Sequence, residues 1–415
     1  MNSLKKDADY IIINSIAENM PQRAVENALK QHEFRKNTYL IAVGKAAWSM
    51  AKAAADFLGS KLLKGIVVTA YGHSKGSLKN IEIYYGGHPV SNENTINATK
   101  KCINLAKSLS EEDELLFLVS GGGSALFEKP IDGINLDDII DITNQLLACG
   151  ANIVEMNMIR KRLSQVKAGR FAQLVSPATI FTVMLSDVVG DRVDSIASGP
   201  AVPDKTTSED AWKIVEKYSL TLTDEMKKCL DKETPKEITN VKTVVTGSVK
   251  FLCNSAAKNA KELGYNPYIL TTKLNCEARD AGLFLASIAQ DIQSGISSFQ
   301  KPCAIIAGGE TVVTLKGLGH GGRNQELALS AAKGIEGLND TLIFSLGSDG
   351  TDGPTDAAGG MVDGKTAILL REKGFDIDEV LNRNDSYTAL EAVEGLIITG
   401  PTGTNVNDVA VLLCR

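Results

Sequence analysis

The chain has 415 residues, 43% hydrophobic and 23% charged, enough to bury large cores, and at about 150 residues per domain it divides into two or three. Its formal charge of −6 is spread over mixed acidic and basic residues with no long basic run, which argues against nucleic acid as a partner but not against small anions. Seven scattered cysteines without a CxxC pair, and four histidines without metal-ligand spacing, argue for a reducing cytoplasm and against structural zinc.

Near the N-terminus, DADYIIINSIAENM places two aspartates before a short apolar run broken by Asn14 and Ser15, unlike a signal peptide. No stretch of about 18 apolar residues occurs, so no membrane span is expected. The runs at 38–44, 65–70, 81–87, 114–120 and 179–188 are short, apolar and bounded by Gly, Ser or Asp, and read as buried strands. Helical patterns lie between them at 45–58, 91–109 and 135–150, the second with Ser91 as its expected N-cap. Strand alternating with helix implies a parallel sheet covered on both faces. The polar segment 221–242, with Pro235, interrupts the pattern, and the domain boundary is placed there: an N-terminal domain over 1–235 and a C-terminal domain over 236–415. Beyond it, strand-like runs at 243–247, 266–272, 303–310, 341–350 and 395–400 alternate with helical segments near 251–263, 277–292, 323–333 and 385–393. The expected fold class is therefore α/β in two domains.

Ligands of open α/β sheets sit beyond the carboxyl ends of the strands. Gly44 with Lys45, SGGGS (120–124), SDVVGD (186–191), GGE (308–310) and GSDGTDG (347–353) all follow strands. In SGGGS, Gly121, Gly122 and Gly123 can turn several N–H groups inward to form an anion site, to which Ser120 and Ser124 can add hydroxyl donors. A bare turn needs only one residue at positive φ, so three glycines favour binding, and the phosphates of a nucleotide suit such a site. There is no GxxxxGK[ST] loop.

GLGHGG (317–322) matches GxGxxG between a strand-like and a helix-like run, yet the acidic residue expected about 20 positions on is not in place. Arg323 begins the following helix, where it suits a carboxylate or phosphoryl oxygen; the plain alternative is a surface ion pair with Glu326. Lys45 stands at the first turn of an Ala-rich helix, where a cation opposes the dipole, so helix stability does not explain it; a snorkelling lysine is the alternative. Most aspartates in the glycine loops read as turn or cap residues, but Asp187 and Asp349 each end a strand and could hold Mg²⁺ or accept a hydroxyl proton. His88 in GGHPVS could act as an acid or base, but with Pro89 beside it a structural hydrogen bond is the preferred reading.

Taken together, VGKAA, GGHPVS, LVSGGGSAL, MNMIRKRLSQVKAGR, LSDVVGD, IASGPAVPD, AGGETVVTLKGLGHGGRNQELAL, LGSDGTDGPTDAAGG and TGPTGTNVNDV resemble the class II glycerate kinases. These are the glycerate 2-kinases whose C-terminal part is called the MOFRL domain, and the likeness runs in order over nearly the whole chain. The resemblance implies ATP- and Mg²⁺-dependent phosphorylation of D-glycerate to 2-phosphoglycerate. It also implies a Rossmann-like N-terminal domain, a smaller α/β C-terminal domain and an active site in the cleft between them. Its catalytic residues correspond to Lys45, Asp187 and Arg323. On this reading Gly121–Gly123, flanked by Ser120 and Ser124, cradle ATP phosphates; Lys45 and Arg323 hold the transferring group or the glycerate carboxylate; Asp187 orients the hydroxyl or, with Asp349, a metal. Which cation holds which anion stays open, as does assembly into a homo-oligomer. The competing enzyme reading is a nicotinamide-dependent hydroxypyruvate reductase, resting on the 317–322 glycines, and the non-enzymatic one a metabolite-binding regulator.

Overall fold

A computed structural model describes residues 3–34, 37–186 and 193–415. Two compact units emerge, whose described residues are 21–186 and 193–246 in one and the segment up to Met20 with Gly247–Arg415 in the other.

In the first unit the short apolar runs become β1 (Thr38–Val43), β2 (Leu62–Ala70), β3 (Ile81–Gly86), β4 (Glu114–Val119), β5 (Thr179–Leu185) and β6 (Val241–Gly247), in sheet order β3-β2-β1-β4-β5-β6. The β3–β2, β2–β1, β1–β4 and β4–β5 pairs are all parallel. A central parallel strand is covered on both faces, which is why β4 reads ELLFLV with every residue buried rather than alternating. Residues 241–247, which the 235/236 boundary puts in the C-terminal domain, occupy the edge of this sheet. The helix Glu93–Lys107 begins one residue later than the expected Ser91 cap allows. Asn92 Oδ1 accepts from Thr95 N–H at 3.0 Å and Thr95 Oγ1 from Asn92 N–H at 3.3 Å, a reciprocal cap. Chain order reverses between β1 and β4: β1 leads on to β2 and β3 on one side, β4 to β5 and β6 on the other. Connections leaving those two strands diverge and open a crevice at their carboxyl ends.

The second unit holds β7 (Asn266–Leu274), β8 (Cys303–Gly309), β9 (Thr341–Gly347), β10 (Gly359–Asp363), β11 (Leu396–Ile397) and β12 (Asp408–Cys414) in the order β11-β10-β9-β12-β8-β7. The N-terminal helix Ser3–Glu18 belongs to this unit and packs on the helix Val249–Glu262, with Asn19 Nδ2 donating to Ser255 Oγ at 3.0 Å. Neither β10 nor β12 is among the strands expected from the sequence, and β12 matters most. Wholly buried, it runs antiparallel between β8 and β9. Its first residue, Asp408, pairs in register with Gly309 at the end of β8 and Gly347 at the end of β9. An antiparallel insert thus delivers a carboxylate to the place where its two neighbours present their carboxyl ends. Among the described residues no helix is long and apolar enough to cross a membrane.

Candidate active site

At the β1–β4 crevice two loops are sewn together. Lys45 N–H donates to Gly121 O at 2.8 Å, and Ala46 N–H to Ser120 Oγ at 3.1 Å. Gly44 makes this approach with φ +117°, and a Cβ there would lie 2.3 Å from Ser120 Oγ and 2.5 Å from Ser120 O, so only glycine fits. Lys45 itself precedes Ala46, the N-cap of the helix Ala47–Leu58, and so stands in the turn before the helix rather than in its first turn. It is half-buried, and its ammonium has no hydrogen-bond or ion-pair partner among the described residues. An uncommitted lysine in a crevice is available to a ligand.

Gly122 is left-handed (φ +82°) and starts the short helix Gly123–Leu126. Gly123 N–H is spent on Ser120 O at 3.3 Å, whereas the N–H groups of Gly121 and Gly122 have no partner among the described residues. Two neighbouring, half-buried N–H donors thus lie uncommitted in the loop that pairs with Lys45, the kind of donor set an anion can use. The two serines differ from the sequence expectation of hydroxyl donors to a ligand. Ser120 is buried, with its Oγ accepting from Ala46 N–H and donating to Val43 O at 3.3 Å. Ser124 Oγ meets Ser198 Oγ at 3.1 Å, which in turn donates to Asn157 Oδ1 at 3.0 Å. Both hydroxyls hold the loop in shape instead of pointing to a ligand. Beneath it, fully buried Lys167 donates to Ser124 O at 2.9 Å and Phe127 O at 3.0 Å while pairing with buried Glu128 at 3.0 Å.

In the second unit Arg323 opens the helix Arg323–Gly334. Its Nε and Nη2 donate to Asp408 Oδ2 and Oδ1 at 2.5 and 3.1 Å, and Nη1 pairs with Glu310 at 3.1 Å. The alternative pairing with Glu326 does not occur, because Glu326 is buried against Arg279, at 2.9 Å, and Asn384, at 3.2 Å. Nor are the first helical N–H groups free for an anion: buried Asp352 takes those of Asn324 at 3.1 Å and Gln325 at 2.9 Å. Burial pushes the Asp408 carboxyl up to about 6 even though Arg323 pulls it down. Asp408 and Glu310 both lay inside quoted motifs, but their part in holding Arg323 depends on strand direction, which periodicity does not report.

Residues 7–231 match the family described as a domain of unknown function (DUF4147), and residues 303–408 match the MOFRL family. A D-glycerate 2-kinase of Thermotoga maritima is 53% identical over 409 residues, 99% of this chain and 98% of that one. The chain belongs to the MOFRL family of glycerate 2-kinases. A crystal structure of a glycerate kinase from Thermotoga maritima matches with a TM-score of 0.97 at 52% identity, covering 100% of both chains. A relative in Agrobacterium vitis, provisionally named a hydroxypyruvate reductase, is 40% identical over 382 residues, 90% of this chain and 98% of that one.

Within this MOFRL-family chain, Asp187 lies outside the described residues. Asp349 follows β9, and its Oδ1 accepts from Thr351 N–H at 3.1 Å, so the carboxylate is fixed at a strand end and half-buried. Among the described residues no three His, Cys, Asp or Glu side chains gather into a metal cage. Mg²⁺ commonly takes only one or two carboxylates alongside phosphate oxygens and waters, and Asp349 fits that donor set. The GxGxxG segment lacks the strand a dinucleotide fingerprint requires: within 311–316 only Val312 makes a bridge, to Glu277. Its backbone is instead laid on residues 384 and 385. Lys316 and Gly317 N–H donate to Asn384 Oδ1 at 2.7 and 3.0 Å, and His320 N–H to Asp385 Oδ1 at 3.1 Å.

Proposed function

We infer that this chain is a glycerate 2-kinase, moving the γ-phosphoryl group of ATP to the 2-hydroxyl of D-glycerate to give 2-phosphoglycerate and ADP. The observation that carries the reading is the meeting of Lys45, with its uncommitted ammonium, and the free N–H groups of Gly121 and Gly122 at the β1–β4 switch point. In this transfer the bond from glycerate oxygen to phosphorus forms, the bond to the β-phosphate oxygen breaks, and the hydroxyl proton leaves. Charge accumulates on the phosphoryl oxygens, so the protein's task is positioning and electrostatic compensation rather than covalent chemistry. Gly121, Gly122 and Gly123 cradle the phosphate chain, and Lys45 compensates its charge. Arg323, held on one edge by Asp408, presents its remaining N–H groups to the glycerate carboxylate or the transferring phosphoryl group. Asp187 orients the hydroxyl or, with Asp349, a Mg²⁺ ion, whose chemistry is to neutralise phosphate charge. All seven cysteines are free thiols, which suits a reducing cytoplasm.

The test follows ADP release with glycerate and ATP, and NADH oxidation with hydroxypyruvate, in the same preparation, with phosphorus NMR of the product. ADP release, a 2-phosphate resonance and no NADH oxidation are expected. Lys45→Ala and Arg323→Ala each lower kcat by about 10²-fold or more; turnover near wild type in either removes that residue from its role.

A further inference from the structure

The segment MNMIRKRLSQVKAGR (156–170) carries five cations, and four of them are committed. Lys161 pairs with Asp194 at 3.5 Å and Asp204 at 3.6 Å, Arg162 with Glu233 at 3.5 Å and Lys167 with Glu128 at 3.0 Å, while Arg170 donates to Lys161 O at 2.6 Å and Ser164 O at 2.9 Å. Arg160 is the exception. It is half-buried in the last turn of the helix Ile153–Arg162, and its guanidinium makes no hydrogen bond or ion pair among the described residues. Nε is shut off from solvent without an acceptor, whereas the equally unpaired Nη groups are not shut off. A sealed donor with no partner destabilises a fold. A cation at a helix C-terminus suits the dipole, but the dipole asks only for charge and does not account for that donor.

Two links tie Arg160 to the glycine loop. Asn157 stands one turn earlier on the same face of the helix; its Oδ1 accepts from Ser198 Oγ at 3.0 Å, and Ser198 Oγ meets Ser124 Oγ at 3.1 Å. Lys167 Nζ holds Ser124 O and Phe127 O, and the Arg160 charge is among those that pull the Lys167 pKa down. An unsatisfied guanidinium therefore adjoins the groups that hold the exit of the loop, where Glu128 balances Lys167 and leaves the arginine charge over.

We propose that Arg160 is a substrate-binding residue of this site, its guanidinium donating to an anionic oxygen, either of a nucleotide phosphate or of the glycerate carboxylate. The proposal rests on the reading of the neighbouring glycine loop as the anion cradle. A planar fork of donors suits both oxyanions and adds direction to charge, and the partner that the arginine lacks within the fold is then the ligand itself.

Steady-state constants for ATP and D-glycerate are measured on wild type, Arg160→Met, Arg160→Lys and Lys45→Ala, with thermal denaturation of each. Arg160→Met keeps an apolar stem and removes both the sealed donor and the charge near Lys167, so its Tm should equal or exceed that of wild type. Its kcat/KM should nevertheless fall by about 10- to 100-fold, the loss of one charge-assisted hydrogen bond. A merely structural arginine would not give that opposition. Arg160→Lys keeps the charge at the helix end without the planar fork and should recover only part of the activity. A rise in the KM of ATP assigns the bond to phosphate; a rise in the KM of glycerate assigns it to the carboxylate. Wild-type constants in Arg160→Met overturn the proposal, as does a loss in both Arg160 variants that tracks a fall in Tm. If Lys45→Ala keeps wild-type constants while Arg160→Met does not, it is the cradle reading that fails and the role of Arg160 stands.

Discussion

Arg323 and Asp408 are joined by two hydrogen bonds, Nε to Oδ2 at 2.5 Å and Nη2 to Oδ1 at 3.1 Å, along one edge of the guanidinium. Burial works to pull the arginine pKa down, but the Asp408 bond and the charges of Asp408 and Glu310 more than offset it and raise it. Asp408 bears the cost, pushed up to about 6 by burial. Because that lies above the unfolded value of about 3.9, the folded chain binds the proton more tightly. The resulting stabilisation is complete below about pH 4 and lost as pH rises through about 6, on the order of 3 kcal/mol. Asn cannot titrate, so Asp408→Asn should gain stability relative to wild type between about pH 4 and pH 7, read by urea denaturation at both ends of that window. The same variant frees the guanidinium edge, and kcat should fall by about 10-fold even where the fold is intact.

Gly44 and Gly122 separate stability from function. A methyl group at Gly44 meets Ser120 Oγ at 2.3 Å and the Ser120 backbone carbonyl oxygen at 2.5 Å, and that backbone cannot turn aside. Gly44→Ala should cost about 3 kcal/mol or more from overlap and positive φ together. At Gly122 the nearest atoms belong to the side chains of His88 and Lys45, which can move. Gly122→Ala should therefore cost only about 1–2 kcal/mol while displacing those two groups, so activity falls at least about 10-fold with a small change in Tm.

These contrasts show which parts of the site were written locally. An apolar strand followed by glycines, or by glycine and lysine, is a pattern of a few adjacent residues, so Lys45 and 120–124 could be placed at strand ends from sequence. That they share one crevice follows from the strand order β2-β1-β4-β5, which no local pattern specifies. VAVLLC is apolar enough to be a strand but was not among those expected, and its antiparallel direction, hence the arrival of Asp408 beside Arg323, is a property of pairing. Ser91 was read as a cap because its type suits one. Asn92 takes that role, and Ser91 Oγ donates instead to Ala125 O.

Asp352 tests how Arg323 is supported from behind. Its carboxylate, buried and with its pKa raised by that burial, receives the N–H groups of Asn324 and Gln325 and the Gln325 side-chain amide at 3.1 Å. Asp352→Ala leaves helix-end donors buried without an acceptor and should cost about 2–4 kcal/mol. Asp352→Asn keeps one acceptor oxygen and should cost less. Denaturant melts rank the three proteins, and equal stability of wild type and the Ala variant contradicts the capping role.

The pair Lys167–Glu128 bears on the glycine loop through its backbone. Both side chains are essentially without solvent exposure, and burial pulls the Lys167 pKa down while Glu128 opposes that shift. The ammonium also holds Ser124 O and Phe127 O, the exit of the glycine loop. Lys167→Met strands a buried carboxylate and two carbonyls, and should destabilise the chain by about 3–5 kcal/mol. Adding Glu128→Gln removes the stranded charge and should return a large part of that loss, so the double variant is more stable than Lys167→Met alone. The carbonyls still lack their donor, so the loop relaxes and the KM for ATP stays raised in the double variant although stability recovers. A double variant with wild-type stability and wild-type KM would show that Lys167 merely balances Glu128 and does not set the shape of the loop.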